Sequence, residues 1–301
     1  MKRLIVNADD FGVSRGVNRA IVECHQLGIV TSATLMANST AFNDAIELAK
    51  ENRRLSVGCH VTLMDGEPLL PPQEVASLLR DGREFYRTIS DFAPRALLGR
   101  FKAAEVEAEA VAQFQRIQQA GIKLSHFDAH KHAHMFPSVA EPLLRAAQKC
   151  GIPAARNPFE RPVPLRYSTL LGTKFRVRWA EVVALRQFQS QFERLALRYG
   201  IRTTTGSIGI VATGVLDRTI LREMLERLED GTWELVCHPG YNDGDLANLV
   251  TKLRESREVE REVLTDRSVF DQIKARSVEL ISFRELVPGA GAPPLNQNQV
   301  P

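Results

Sequence analysis

The sequence predicts a single α/β domain wound as an irregular, TIM-like (β/α) barrel. Three observations lead there. Short apolar runs alternate with segments of helical period, the pattern of a parallel sheet with helices outside it. The units are too many for a small open sheet in about 280 residues. Polar, chemically capable residues also stand at the ends of the expected strands, where parallel α/β folds assemble their sites. A doubly wound open sheet is the alternative.

In chain order, Leu4-Ile5-Val6 reads as the first strand, and Ser14 caps a helix with Val17, Ile21, Val22 and Leu27 at helical spacing up to Gly28. A strand is expected from about Thr31 to Met36, a helix from Thr40 to Lys50 and a strand from Leu55 to Leu63. A long helix carrying Val106, Ala110, Phe114 and Ile117 on one face stops at Gly121. A strand from Ile122 to His130 follows, then a helix through Leu143 and Leu144 ending at Gly151, and a strand from Ile152 to Arg156. Beyond these come a helix near Leu216–Leu228, a strand at Trp233–His238, helical segments from Leu246 to Ala275 and a strand at Val278–Ser282. Residues 1–287 form the expected domain, and 288–301, rich in Pro, Gly, Asn and Gln, a disordered tail.

The bulk composition excludes several classes. With 44% apolar and 25% charged residues the chain is ordinary globular material, and its net charge of +3 is too small to imply nucleic acid. No run of about 18 apolar residues predicts a membrane span. Asp9 and Asp10 interrupt the place where an export signal would keep its apolar stretch. Cys24, Cys59, Cys150 and Cys237 form no CxxC pair and sit among apolar residues, which suits a reducing cytoplasm. One segment departs from the average. Between Arg161 and Arg202 nine basic residues face two acids, a local surplus of seven, with Phe175, Trp179, Phe188 and Phe192 interleaved. Such a stretch could lie on the surface of an anionic membrane; the plainer reading is a solvated helix pair over the barrel. The expected location is therefore cytoplasmic, with peripheral contact at the inner face of the membrane.

The chemistry gathers at five strand ends: Asp9 and Asp10; His60; His126, Asp128, His130, His132 and His134; Arg156; and His238. Residues 126 to 134 in steps of two share parity, so an extended chain would turn all five side chains to one face. Alternate residues lie about 7 Å apart, so only one or two of them can reach one ion. Imidazole and carboxylate donors suit a catalytic ion with three protein ligands and an open position. The neighbouring acids Asp9 and Asp10 allow one carboxylate to ligate while the other accepts a proton. No HExxH helix, Walker A loop or GxSxG elbow is present.

Asn7-Ala8-Asp9-Asp10-Phe11-Gly12, Gly58-Cys59-His60, the run His126 to Pro137 and Cys237-His238-Pro239-Gly240 resemble, in sequence and order, the YdjC-like carbohydrate deacetylases. The resemblance implies a (β/α) barrel and metal-dependent removal of acetyl groups from N-acetylated sugars. Carried onto this chain, it makes Asp10, His60 and His130 metal ligands, Asp9 the general base, His238 the general acid and Arg156 the residue that orients the base. Zinc is the expected ion, with magnesium the alternative. Leu35-Met36-Ala37-Asn38, the stretch Gly58 to Pro68 and Thr205-Gly206-Ser207-Ile208-Gly209 are most similar to the hopanoid-biosynthesis branch, which implies a glucosaminyl lipid substrate. The expected partners are thus an N-acetylated amino sugar or glycolipid, the membrane surface and a second copy of the chain. Two rivals stand beside this: a chitooligosaccharide deacetylase, and another metal hydrolase such as a phosphoesterase, which would need several cations around the ion. A non-catalytic sugar- or lipid-binding protein would have no use for the paired acids and histidines together.

Overall fold

The computed structural model describes residues 1–160 and 172–287, the side chains of 172–178 excepted. The expected tail 288–301 and residues 161–171 of the basic segment lie outside the described residues. The strands are β1 (Lys2–Phe11), β2 (Ser32–Leu35), β3 (Ser56–Val61), β4 (Phe127–Ala129), β5 (Ala154–Ala155), β6 (Arg202–Thr203), β7 (Gly206–Ile208), β8 (Gly231–Cys237) and β9 (Val278–Leu280). All named pairings are parallel, in the order β6-β5-β4-β3-β2-β1-β8-β7, with β9 added beside β1 at Lys2–Leu4. A further parallel bridge joins Glu160 to Ser207. β6 and β7 therefore act as one bent strand along residues 154–160, and the sheet comes round to a nearly closed eight-stranded barrel.

The principal helices are α1 (Arg15–Gln26), α2 (Phe42–Glu51), α3 (Ile89–Leu97), α4 (Ala103–Gln119), α5 (Pro137–Lys149), α6 (Gly172–Leu185), α7 (Gln189–Arg198), α8 (Arg218–Glu226), α9 (Gly244–Ala247), α10 (Glu255–Thr265) and α11 (Arg267–Ala275). Ser14 caps α1 as expected, its side chain accepting from the Val17 amide. The strand expected from Ile122 to His130 shrinks to β4: residues 122–126 are irregular, although Ser125 and His126 still exchange backbone hydrogen bonds with β3, and from His130 the chain turns into a short helical segment. Helix α3, in the long connection between β3 and β4, is an element that no expectation from the sequence covers.

Alternation along the strands sorts the side chains. Leu4, Val6 and Ala8 of β1, Ala33 and Leu35 of β2, and Val57, Cys59 and Val61 of β3 join the main core. The opposite parity faces the barrel axis. There Ile5, Ala154, Ile281 and Phe283 form a separate apolar floor. His126 lies on it, its ring stacked on Phe283 with centroids 3.7 Å apart. The ring fills the space a side chain at Gly58 would need: a Cβ there would stand 2.5 Å from His126 Cε1. Above this floor the interior turns polar, and there the site begins.

Candidate active site

Asp9 and Asp10 are consecutive strand residues and would normally point to opposite faces. They do not, because Asp10 takes a left-handed backbone with φ of 66°, and the β1–β2 register slips between Ala8 and Phe11. Asp tolerates this conformation better than most residues. Both carboxylates are thereby delivered to the same end of the barrel.

Arg156, at the end of β5, is fully buried and holds three acids. Its Nη1 donates to Asp9 Oδ2 at 2.8 Å and its Nη2 to Asp9 Oδ1 at 2.6 Å, a bidentate pair. Nη1 also lies 2.8 Å from Asp128 Oδ2, and Nε donates to Glu234 Oε1 at 2.8 Å. Burial pushes the Asp9 carboxyl up, but the Arg156 guanidinium outweighs it and holds Asp9 well below the usual carboxylate range. Glu234 is less well compensated: burial raises it to about 8 despite Arg156. Asn7 completes the support, donating from Nδ2 to Asp9 Oδ1 at 3.1 Å while its Oδ1 accepts from His126 Nε2 at 3.1 Å.

Asp10, His60 and His130 meet at the mouth. His60 Nε2 is 3.5 Å from Asp10 Oδ1 and 3.2 Å from His130 Nδ1, and His130 Nδ1 is 3.4 Å from Asp10 Oδ1. Donors held about 2.0–2.1 Å from one ion lie about 3.4 Å apart at tetrahedral angles and about 2.9 Å apart at octahedral ones. The triangle therefore fits one ion, closer to the tetrahedral case. His60 Nδ1 donates to Asp128 Oδ1 at 2.6 Å, the carboxylate–histidine arrangement that fixes a ligand's free nitrogen. A second triple, Asp9, His60 and Asp128, is also within reach of one ion. Its carboxylates are already engaged by Arg156 and its His60 nitrogen by Asp128, so the first set is the better cradle. Asp9, Asp10, Asp128 and Glu234 share this region with the guanidinium groups of Arg156 and Arg257 and with His60, whose proton a bound cation would replace.

Burial depresses the His60 imidazole, but Asp128, Asp9 and Asp10 outweigh it and raise it to about 9. The free protein thus carries a proton at neutral pH that a ligated ion must expel. Metal uptake should release a proton and tighten as pH rises from 6 towards 9, where His60 loses that proton unaided. Titration calorimetry in two buffers of different ionisation heat checks this; equal apparent heats would refute it.

His238, at the end of β8, places Nε2 3.8 Å from Asp9 Oδ2, while its Nδ1 is buried without a hydrogen-bond partner. Burial lowers it to about 4, against the opposing pull of Asp9 and Asp10. The structure thus brings together the six residues to which the resemblance assigns roles: Asp9, Asp10, His60, His130, Arg156 and His238.

It does not bring together the five-residue run. His126 has both ring nitrogens occupied, by Ser125 and Asn7, and belongs to the floor. Lys131 and His132 take left-handed backbones, with φ of 51° and 56°, which breaks the shared parity. His134 is fully buried near Phe192, with neither nitrogen paired. Glu234, Arg257 and Glu260 escaped the sequence reading. Glu234 alone left a signal, an acid inside the apolar run Trp233–Cys237.

The family model described as YdjC-like protein matches residues 3–275. A carbohydrate deacetylase of Brevibacillus brevis is 34% identical over 94% of this chain and 99% of its own length. A chitooligosaccharide deacetylase of Proteus mirabilis is 32% identical, covering 94% and 98%. A solved structure from Enterococcus faecalis V583, proposed to be a cellobiose-phosphate cleavage protein, superposes with a TM-score of 0.76 at 25% identity, covering 95% of this chain and 99% of that one. With the family model spanning nearly the whole barrel, this chain belongs to the YdjC-like family.

Proposed function

We propose that the chain is a metal-dependent hydrolase that removes the acetyl group from an N-acetylated amino sugar. The observation that carries the proposal is the pairing, at one barrel mouth, of the Asp10–His60–His130 triangle with the Arg156-bound Asp9 and with His238. The carbohydrate and chitooligosaccharide deacetylases among its relatives support the substrate class. Zinc suits the two imidazoles, the carboxylate and their spacing. Such an ion supplies positive charge that polarises the acetamide carbonyl and acidifies water. Asp9, ionised at any working pH, accepts the proton of the attacking water. His238 is neutral at rest, so the proton that it delivers to the departing amine must arrive during turnover. Asp9, 3.8 Å away, is the source at hand. Arg156 keeps Asp9 charged and oriented.

A phosphoesterase is the poorer reading. The buried guanidinium groups nearest the triangle are committed, Arg156 to three acids and Arg257 to Asp10, which leaves neither for phosphate. For the sugar's carrier we favour a hopanoid lipid, on the likeness of residues 35–38, 58–68 and 205–209 to that branch. No described helix is long and apolar enough to cross a membrane. Peripheral contact from the cytoplasmic side is supported by α7, where Leu197, 82% exposed, stands between the exposed Arg194 and Arg198.

The test is acetate release, followed by mass spectrometry, from N-acetylglucosaminyl hopanoid and from diacetylchitobiose. Metal-loaded wild type and His130→Ala are compared. Loss from the hopanoid alone, abolished in the variant, is the expected result. Loss from chitobiose alone would keep the activity and discard the lipid. Release from neither would reject the proposed activity on these sugars.

A further inference from the structure

Helix α10 sends two charged side chains inward, and neither has a part in the chemistry above. Arg257 and Glu260 are three residues apart, hence on one helix face, and are 2% and 1% exposed. Burial of this kind is costly unless each charge is matched. Arg257 Nη2 donates to Asp10 Oδ2 at 2.5 Å, and its Nη1 to the His238 carbonyl at 3.4 Å. The Arg257 carbonyl accepts from the Gly240 amide at 3.1 Å. Glu260 Oε2 accepts from the His238 amide at 2.5 Å. Gly240 leaves room for the arginine: a Cβ there would stand 2.8 Å from Arg257 Cδ.

Asp10 thus has its two oxygens assigned to different tasks. Oδ2 belongs to Arg257, whereas Oδ1 faces His60 and His130. We infer that Arg257 is a positioning residue that restricts Asp10 to one oxygen as a metal donor and ties its placement to that of the His238 loop. The inference rests on the proposed ligand set Asp10, His60 and His130. A carboxylate free to offer both oxygens would crowd an ion whose remaining position must admit substrate and water. Partners behind a ligand typically change metal affinity or activity about 10- to 100-fold when removed.

The test uses Co²⁺ alone as the probe, because the intensity of its visible absorption falls as coordination number rises above four. Wild type, Asp10→Ala, Arg257→Met, Arg257→Lys and the Asp10→Ala/Arg257→Met double variant are titrated with Co²⁺, and their spectra recorded. Arg257→Met should weaken Co²⁺ binding about 10- to 100-fold and lower the absorption per bound ion. Arg257→Lys should restore part of both, and the double variant should bind no more weakly than Asp10→Ala. Unchanged affinity and spectrum in Arg257→Met, with binding lost in Asp10→Ala, would overturn the role of Arg257 and leave the ligand set standing. Undiminished binding in Asp10→Ala would instead reject the ligand set. Should Arg257→Met not fold, Arg257→Lys decides: it keeps the charge but cannot span Asp10 and the His238 carbonyl, so wild-type affinity and spectrum there would also overturn the inference.

Discussion

Arg156→Met is expected to be the most damaging single substitution in the barrel. The arginine is wholly enclosed and its fork is shared by Asp9, Asp128 and Glu234. Removing one partner of a buried ion pair costs about 3–5 kcal/mol, because the other charge stays behind without solvent; here three acids stay behind. The loss has a defined dependence on pH. Without the guanidinium, burial, the largest influence on Asp9, is opposed only by the weaker pull of His60 and His238 and should lift its folded-state pKa above the unfolded value, the reverse of its present depression. A group raised on folding stabilises below its unfolded pKa and loses that contribution as pH rises through the folded one. The deficit relative to wild type should therefore be smaller at pH 5 than at pH 7.5. Urea denaturation of both proteins at the two pH values measures it, and coincident midpoints would show that the four-group cluster does not stabilise the fold. Arg156→Lys should fall between, since a lysine keeps the charge but not the planar fork.

The second large effect is on rate rather than stability. Asp9→Asn preserves shape and can still accept a hydrogen bond from Arg156 through its amide oxygen, and it leaves Asp10, His60 and His130 untouched. Activity should fall about 10²- to 10⁴-fold, the range for loss of a general base, with the metal content per chain unchanged. The two readouts must be taken together. Near-normal activity in a metal-replete variant would remove Asp9 from the mechanism. Loss of metal alongside activity would make Asp9 a ligand, as the alternative triple Asp9–His60–Asp128 permits.

The residues of the site were legible because the fold concentrates chemistry at strand ends, and the sequence places acids, histidines and an arginine at five such ends. What was illegible has specific causes. The joint orientation of Asp9 and Asp10 depends on one left-handed residue, Asp10, and no sequence period reports that. The equal spacing of His126 to His134 suggested one shared face, but two successive left-handed residues, Lys131 and His132, end the strand and separate the ring positions. β6 and β7 are two and three residues long, too short for an alternation to register. Arg257 and Glu260 lie in a strongly charged helix, where two inward-facing members look like the rest of its solvated face. Only the position of α10 over the mouth distinguishes them.

The strand that carries both key aspartates obtains most of its neighbours from the far end of the chain. β1 pairs with β8 along Lys2–Ala8 and with β9 along Lys2–Leu4, and only β2 is close in sequence. On a ribosome adding about 5–20 residues per second, β1 waits roughly ten seconds to a minute for these partners. Over that interval the largely apolar segment Leu4 to Ala8 has one edge open, and Asp10 lacks Arg257, which is made after β8. Closure over such sequence separations carries the loop-entropy penalty that slows folding. The nascent barrel is thus most exposed to edge-to-edge association until β8 pairs with β1, so shielding of the first strand during synthesis bears directly on the yield of active protein.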